Sequence, residues 1–386
     1  KMLYQLTEEE LMIKQTSRKI AEEKIMSVRD KYDRSGEFPY EIVKVMAETD
    51  LFRVFIPPEY DGLGMGIFAL CLAVEELSWG CAGIALALAG TALGTYPILL
   101  FGSEKLKRKV LPEIAKGKIA SFCLTEPEAG SDALSIKTTA IKKDGGYVIN
   151  GVKQFITNAH VADFYSVFAL TDPRKGPRGI SAFLVEKGTK GLKLGKKEDK
   201  MGIRASPTGE VIFEDVFVPE ENLIGKEGHG LFVATGTFLY TRPGVAAQAI
   251  GIAQAALDAA VEYSMQRKQF GQPISGFQAI QHRLADMAMK IEAARALTYE
   301  VARAIDRGEK PEKESAMAKC FASDVAMSVT IEAVQIFGGY GYIKEYPVEK
   351  MMRDAKITQI YEGTNEIMRN IIASELLKEA RKRIKL

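Results

Sequence analysis

The chain has 386 residues, 26% of them charged and 47% hydrophobic, with a net charge of +2. That is too long for one ordinary core and predicts two or three domains of a globular protein. The scattered charge excludes a nucleic-acid binder; the one basic cluster, residues 378–385, reads as a solvated helix end.

Cys71, Cys81, Cys123 and Cys320 lie far apart with no C-x-x-C pair. A disulfide framework, a structural zinc or any other metal site is therefore not expected. A reducing compartment fits: the cytoplasm of a bacterium or archaeon, or the mitochondrial matrix if a transit peptide has been removed. No targeting segment is visible after Lys1.

Residues 1–117 read as a helical domain. Thr7-Glu8-Glu9-Glu10 is a capping box, and Leu11, Ile13, Ile20 and Ile25 recur at helical intervals. Further helices are predicted at 40–49, 66–78, 82–101 and 104–116, broken by Pro57, Pro58 and Asp61-Gly62. Residues 81–102 carry no charge and are long enough to span a bilayer. Their Gly and Ala content, Pro97 and the lack of a second such segment favour a buried helix, and no membrane partner is expected.

Across residues 118–228 the period changes to two. The runs 147–149 and 154–156 flank Asn150-Gly151, which predicts a hairpin there. Asp144-Gly145 precedes a short strand, and 165–170, 180–185 and 211–218 are rich in β-formers. An antiparallel barrel or sandwich is expected.

Residues 229–386 return to the helical period, with helices predicted at 242–267, 278–307, 313–337 and 365–385. Long, Ala-rich and short-looped, they suggest an antiparallel four-helix bundle. The fold class is thus mainly α with a central β domain. With only His160, His229 and His282, a histidine-based triad or metal site has little to draw on. Gly62, Gly64 and Gly66 lack the strand that a dinucleotide fingerprint needs, and no phosphate-binding G-x-x-x-x-G-K loop occurs.

Six segments then carry a resemblance. Thr125-Glu126-Pro127-Glu128-Ala129-Gly130-Ser131-Asp132 resembles the TEPxAGSD signature of the acyl-CoA dehydrogenase family. Asn150-Gly151 with Phe155-Ile156-Thr157-Asn158 is similar to its NGxKxWITN segment. Arg267-Lys268-Gln269-Phe270-Gly271 with Gln278, and Gln335-Ile336-Phe337-Gly338-Gly339, resemble its RxxFG and QxxGG elements. Arg353-Asp354-Ala355-Lys356 and Tyr361-Glu362-Gly363-Thr364 complete the set, in the family's order and over nearly the whole chain. The pattern is nearest to the short- and medium-chain members.

The resemblance implies FAD as cofactor, held by Phe122, Leu124, Thr125, Gly130, Ser131, Phe155 and Thr157. Phe155 stands where the family usually has Trp, so an indole N–H is lost. Arg267, Phe270, Gln278, Gln335, Gly338 and Gly339 would reach the FAD of a neighbouring subunit, which implies a homotetramer, a dimer of dimers. Thr364 and Glu366 sit where a helix N-terminus can meet the dinucleotide.

By itself Glu362 reads as a surface carboxylate before a turn; within the motif set it is implied to be the base that removes the α-proton of an acyl-CoA thioester. Such a C–H is a very weak acid, so the chemistry needs a desolvated base and donors to the thioester carbonyl. The alternative family position for the base holds Thr241, which is not acidic. Substrate contacts are implied for Ser131, Leu239, Arg242, Gly363 and Ala89. The uncharged helix 82–101 suggests an uncharged acyl chain, branched and cyclic chains included. Electron-transferring flavoprotein is the implied acceptor. An acyl-CoA oxidase, distinguished by peroxide formation, or a flavoprotein subunit of an electron-transfer complex are the alternatives; the latter would not need a carboxylate at position 362.

Overall fold

The computed structural model describes residues 4–384, so Lys385 of the basic tail lies outside them. Helix α1 (Glu8–Ile20) opens with the expected capping box: the Glu10 amide donates to the Thr7 hydroxyl at 3.1 Å, and the Thr7 amide to the Glu10 carboxylate at 2.9 Å. A short helix not expected from the sequence, α2 (Arg29–Ser35), precedes α3 (Tyr40–Glu48).

The central element is α4 (Gly66–Phe101). Cys81, extended at φ −166° and ψ 116°, divides it where the sequence predicted two helices. It is apolar all round because both α and β elements pack on it. A Cβ on Gly94 would lie 2.6 Å from the Ser121 amide nitrogen, so only glycine permits this approach of helix to strand. α5 (Glu104–Ala115) follows, capped by the Ser103 hydroxyl.

The middle of the chain forms one eight-stranded sheet. Its strands are β1 (Ala120–Cys123), β2 (Thr139–Lys143), β3 (Gly146–Thr157), β4 (Phe164–Leu170), β5 (Ile180–Glu186), β6 (Leu192–Lys197), β7 (Thr208–Pro219) and β8 (Leu223–Ile224). They run in the order β6-β7-β3-β2-β4-β5-β8, with β1 beside β4. Pairing is antiparallel except at β1–β4 and the single β2–β4 pair.

The hairpin expected at Asn150-Gly151 is not there. Both residues lie inside β3, and the tight turn is Asp144-Gly145, between β2 and β3. Asn150 instead accommodates a bulge in β7: its side chain accepts from the Asp215 amide at 2.8 Å, and Asp215 has a positive φ of 51°. Gly151 is needed because a Cβ there would lie 2.3 Å from the Thr138 hydroxyl.

The last part is a helical bundle of α6 (Gly230–Gln266), α7 (Gln278–Asp306), α8 (Glu312–Phe337) and α10 (Asn365–Arg383), with α9 (Val348–Lys356) between the last two. α6 starts twelve residues before the predicted 242. Pro243 does not end it, because the Leu239 carbonyl that proline cannot serve accepts instead from the Ser315 hydroxyl at 3.1 Å. α4, α6 and α8 are each long and apolar enough to cross a membrane by length and composition, so residues 81–102 are not the one such stretch. Most of each apolar window is buried within the protein: 72%, 67% and 56% in turn. All four cysteines are buried free thiols.

Candidate active site

A cleft of about 340 Å³ opens where α4, the β-sheet, the first turns of α6 and the turn before α10 meet. One wall comes from the β domain: Phe122, Leu124, Thr125, Gly130, Ser131, Phe155 and Thr157 all line it. Phe122 is wedged between Phe168 and Phe238, with ring centroids 4.8 and 5.3 Å away. Phe155 is 61% exposed and held at φ 57°, an uncommon conformation for a bulky residue.

The loop carrying Thr125, Gly130 and Ser131 is fixed from beneath. Lys153, fully buried, donates to the Leu124 carbonyl at 2.9 Å and to the Glu126 carboxylate at 2.8 Å. Glu126 also accepts from the Lys137 and Thr138 amides at 2.6 and 3.0 Å. Burial pushes the Glu126 carboxyl up, but the Lys153 charge and these hydrogen bonds leave it below its ordinary value. The same burial pulls the Lys153 ammonium down.

Glu362 and Gly363 line the same cleft, at a turn where both have positive φ, 52° and 93°. The Glu362 side chain is half-buried and accepts from the Thr241 hydroxyl at 2.8 Å. Its carbonyl accepts from Arg242 Nε at 3.3 Å. Burial raises the carboxyl from its ordinary 4.5 to about 7, against the opposing pull of Thr241, Arg242 and Lys319. A base poised there is half-ionised near neutrality, where proton abstraction is best served.

The acyl-sized part of the cleft is apolar: Leu70, Val74, Leu86 and Ala89 come from α4 and Val245 from α6. It also holds a polar pair, the Tyr361 hydroxyl donating to the Gln248 side chain. Arg242 is the one lysine or arginine among the described lining residues.

The remaining expected residues lie elsewhere. Leu239 is buried on another face of α6 and does not line the cleft. Thr364 caps α10, its hydroxyl accepting from the Ile367 amide at 3.3 Å, and Glu366 is exposed in the first turn. Arg267, Gly338 and Gly339 line a second, separate cleft with Tyr263 and Tyr340. Phe270 is 94% exposed, and Gln278 and Gln335 are also exposed.

Sequence reasoning missed Lys319 of α8, whose ammonium donates to the Gly363 carbonyl at 2.6 Å. A lysine in the small-residue run Ala316-Met317-Ala318-Lys319-Cys320 was the available signal. It also missed Phe238, Tyr240, Val245 and Gln248, the first two because α6 was started too late.

The β-domain wall fits a flavin. An exposed aromatic face and the hydroxyl-bearing side chains of Thr125, Ser131 and Thr157 share one apolar cleft with a desolvated carboxylate. Fold and site together define a flavoprotein oxidoreductase. Models of the acyl-CoA dehydrogenase N-terminal, middle and C-terminal domains match residues 7–118, 121–216 and 228–377.

The chain is 49% identical over 374 residues to an acyl-CoA dehydrogenase of Bacillus subtilis, covering 96% of this chain and 99% of that one. Among solved structures, butyryl-CoA dehydrogenase from Megasphaera elsdenii superposes with a TM-score of 0.95 at 47% identity, over 97% of this chain and 100% of the other. A chain solved in work on the electron transferring flavoprotein of Acidaminococcus fermentans gives 0.95 at 50% identity, again over 97% and 100%. The chain belongs to the acyl-CoA dehydrogenase family: it is an oxidoreductase acting on a CH–CH group, with FAD as its cofactor.

Proposed function

We propose that this enzyme converts a short, uncharged acyl-CoA to its trans-2-enoyl-CoA, with Glu362 as the proton acceptor. The carrying observation is the half-buried Glu362 carboxylate, raised to about 7, in the same apolar cleft as the Phe155–Thr157 wall. FAD, when bound on that wall, supplies the acceptor for the β-hydride.

The chain's own residues do the rest. Leu70, Val74 and Leu86 exclude water from the acyl group and strengthen every charge interaction inside the cleft. The turn at Glu362 holds the carboxylate toward that space, and the α-proton passes to it as the β-hydride leaves with its electron pair. An uncharged substrate is supported by the apolar wall of α4, and a short one by the size of the cleft and the likeness to butyryl-CoA dehydrogenase.

Electron-transferring flavoprotein is the proposed acceptor, supported by the Acidaminococcus fermentans neighbour. A homotetramer is supported by Phe270 and Tyr342, aromatic side chains 94% and 86% exposed in one chain. Burial of α4, α6 and α8 supports an enzyme that works without a membrane.

The test is anaerobic titration of the yellow protein with butyryl-, octanoyl-, isovaleryl- and glutaryl-CoA, following loss of the flavin absorption. Reduction by butyryl-CoA but not glutaryl-CoA is expected. A protein that releases no FAD on denaturation, or that no acyl-CoA reduces, overturns the reading. Peroxide formed under air at the reduction rate assigns an oxidase instead.

A further inference from the structure

Among the described residues three lysines are buried: Lys153, Lys319 and Lys350. Lys153 is paired with Glu126 and Lys350 with Asp354. Lys319, 0% exposed, makes its hydrogen bonds to neutral oxygens, the Gly363 carbonyl at 2.6 Å and the Asn365 side-chain carbonyl at 2.9 Å. A buried cation held only by neutral groups is costly, and a methionine of similar length would fill the space at less expense. The fold alone does not account for a charge there.

What Lys319 holds does. The Glu362–Gly363 turn keeps two successive positive φ values, and a Cβ on Gly363 would lie 2.5 Å from the Met368 methyl. Asn365, immediately beyond the turn, shares its amide with Ser323 and Asp324 of α8. Asp324 in turn accepts from Gln359, before the turn, at 2.7 Å and from Arg369, after it, at 2.7 Å. α8 therefore grips the turn from both sides, with the ammonium of Lys319 at the centre.

We propose that Lys319 is a positioning residue for Glu362: its ammonium locks the strained turn through the Gly363 carbonyl, and its charge holds the carboxylate in the ionised, proton-accepting form. This rests on Glu362 as the base. Facing that carboxylate are Thr241 and Arg242 from α6, Lys319 from α8 and the adjoining Tyr361. Cys71 of α4 and Tyr240 of α6 are the other titratable side chains of the cleft. Lys319 is itself faced by Arg242 from α6 and by Cys320 and Asp324 on its own helix. Burial brings the ammonium down to about 8, with Glu362 the leading opposing charge, so the two groups support each other's charged forms.

The test uses the FAD-loaded enzyme with butyryl-CoA as probe, recording the rate of flavin reduction against pH for Lys319→Met, Lys319→Gln and Lys319→Arg. Gln keeps a donor for the Gly363 carbonyl without the charge; Arg keeps the charge. Met and Gln should both move the acid limb to higher pH by about one unit, and Arg should leave it near the wild-type position. A residue that merely supports the fold would lower the rate equally at every pH.

An unmoved limb in both Met and Gln overturns the proposal. So does failure of both to load FAD, which assigns Lys319 to folding. Glu362→Gln is run alongside: if it reduces at the wild-type rate, the proton-acceptor reading itself fails. If it is inactive while the Lys319 limb is unmoved, the positioning role alone fails.

Discussion

The Thr241 hydroxyl donates a 2.8 Å hydrogen bond to the Glu362 carboxylate, tying the first helix of the bundle to the turn before the last. The hydroxyl donates more strongly to the ionised carboxylate than to the neutral acid, so the bond lowers the pKa against the burial that raises it to about 7. Thr241→Val removes the donor and keeps the shape. The carboxyl then titrates higher, by about one unit for a hydrogen bond to a charged group. Flavin reduction should fall about tenfold at a pH one unit below the wild-type midpoint, and hardly change two units above it. An acid limb in the wild-type position would show that the bond carries no weight.

A second consequence concerns the cofactor wall. Lys153 joins Leu124 and Glu126, and Glu126 holds the amides of Lys137 and Thr138, closing the loop that presents Thr125 and Ser131. Lys153→Met leaves a buried carboxylate unpaired, at a cost of about 3–5 kcal/mol. The loop should loosen, with a lower melting temperature and at least about tenfold weaker FAD retention on dilution, followed by recovery of flavin fluorescence. Unchanged melting and retention would show that the loop is held by other contacts.

Much of this site was legible because it is carried by short runs of chain. Thr125, Ser131, Phe155, Thr157 and Glu362 belong to segments quoted from the sequence, and all five line one cleft. The kink of α4 at Cys81 was legible as well, since the helical pattern breaks there. The errors arose where a local signal was answered by a distant partner. Asn150-Gly151 reads as a hairpin until Asp215, 65 residues on, is seen bulging against it. The first bundle helix reads as starting at 242, one residue before Pro243, until Ser315 is found serving the carbonyl that the proline leaves free. Lys319 reads as an ordinary helix lysine because its partners, Gly363 and Asn365, come from another segment.

The acyl wall gives a third test. Ala89 faces the cleft from α4, beside Gly90, where a Cβ would sit 3.0 Å from the Thr157 methyl. Space is therefore short on that side. Ala89→Trp should weaken turnover of long or branched acyl-CoAs by about tenfold or more, each excluded CH₂ being worth about 0.8 kcal/mol, while butyryl-CoA remains a substrate. Equal loss with every chain length would place Ala89 outside the acyl path, and no loss at all would show spare room that the cleft geometry does not have.

The sharpest expectation concerns Glu362→Gln, which keeps the shape of the side chain and a hydrogen-bonding partner for Thr241 but removes the basic oxygen. General-base catalysis is typically worth about 10²–10⁴-fold, and Thr241, at the neighbouring position, cannot replace the base. Flavin reduction by butyryl-CoA should therefore fall by at least about 10²-fold. Loss of fold is not the cause to expect. The carboxyl titrates at about 7 in the folded chain against an ordinary 4.5, so its stabilising contribution is complete below about 4.5 and is lost as pH rises through about 7. Above that pH the variant, with no charge to bury, should melt no lower than the wild type. Full FAD content, unimpaired melting at alkaline pH and collapsed reduction are the joint result expected; reduction at near wild-type rate in stopped flow would falsify the role of Glu362.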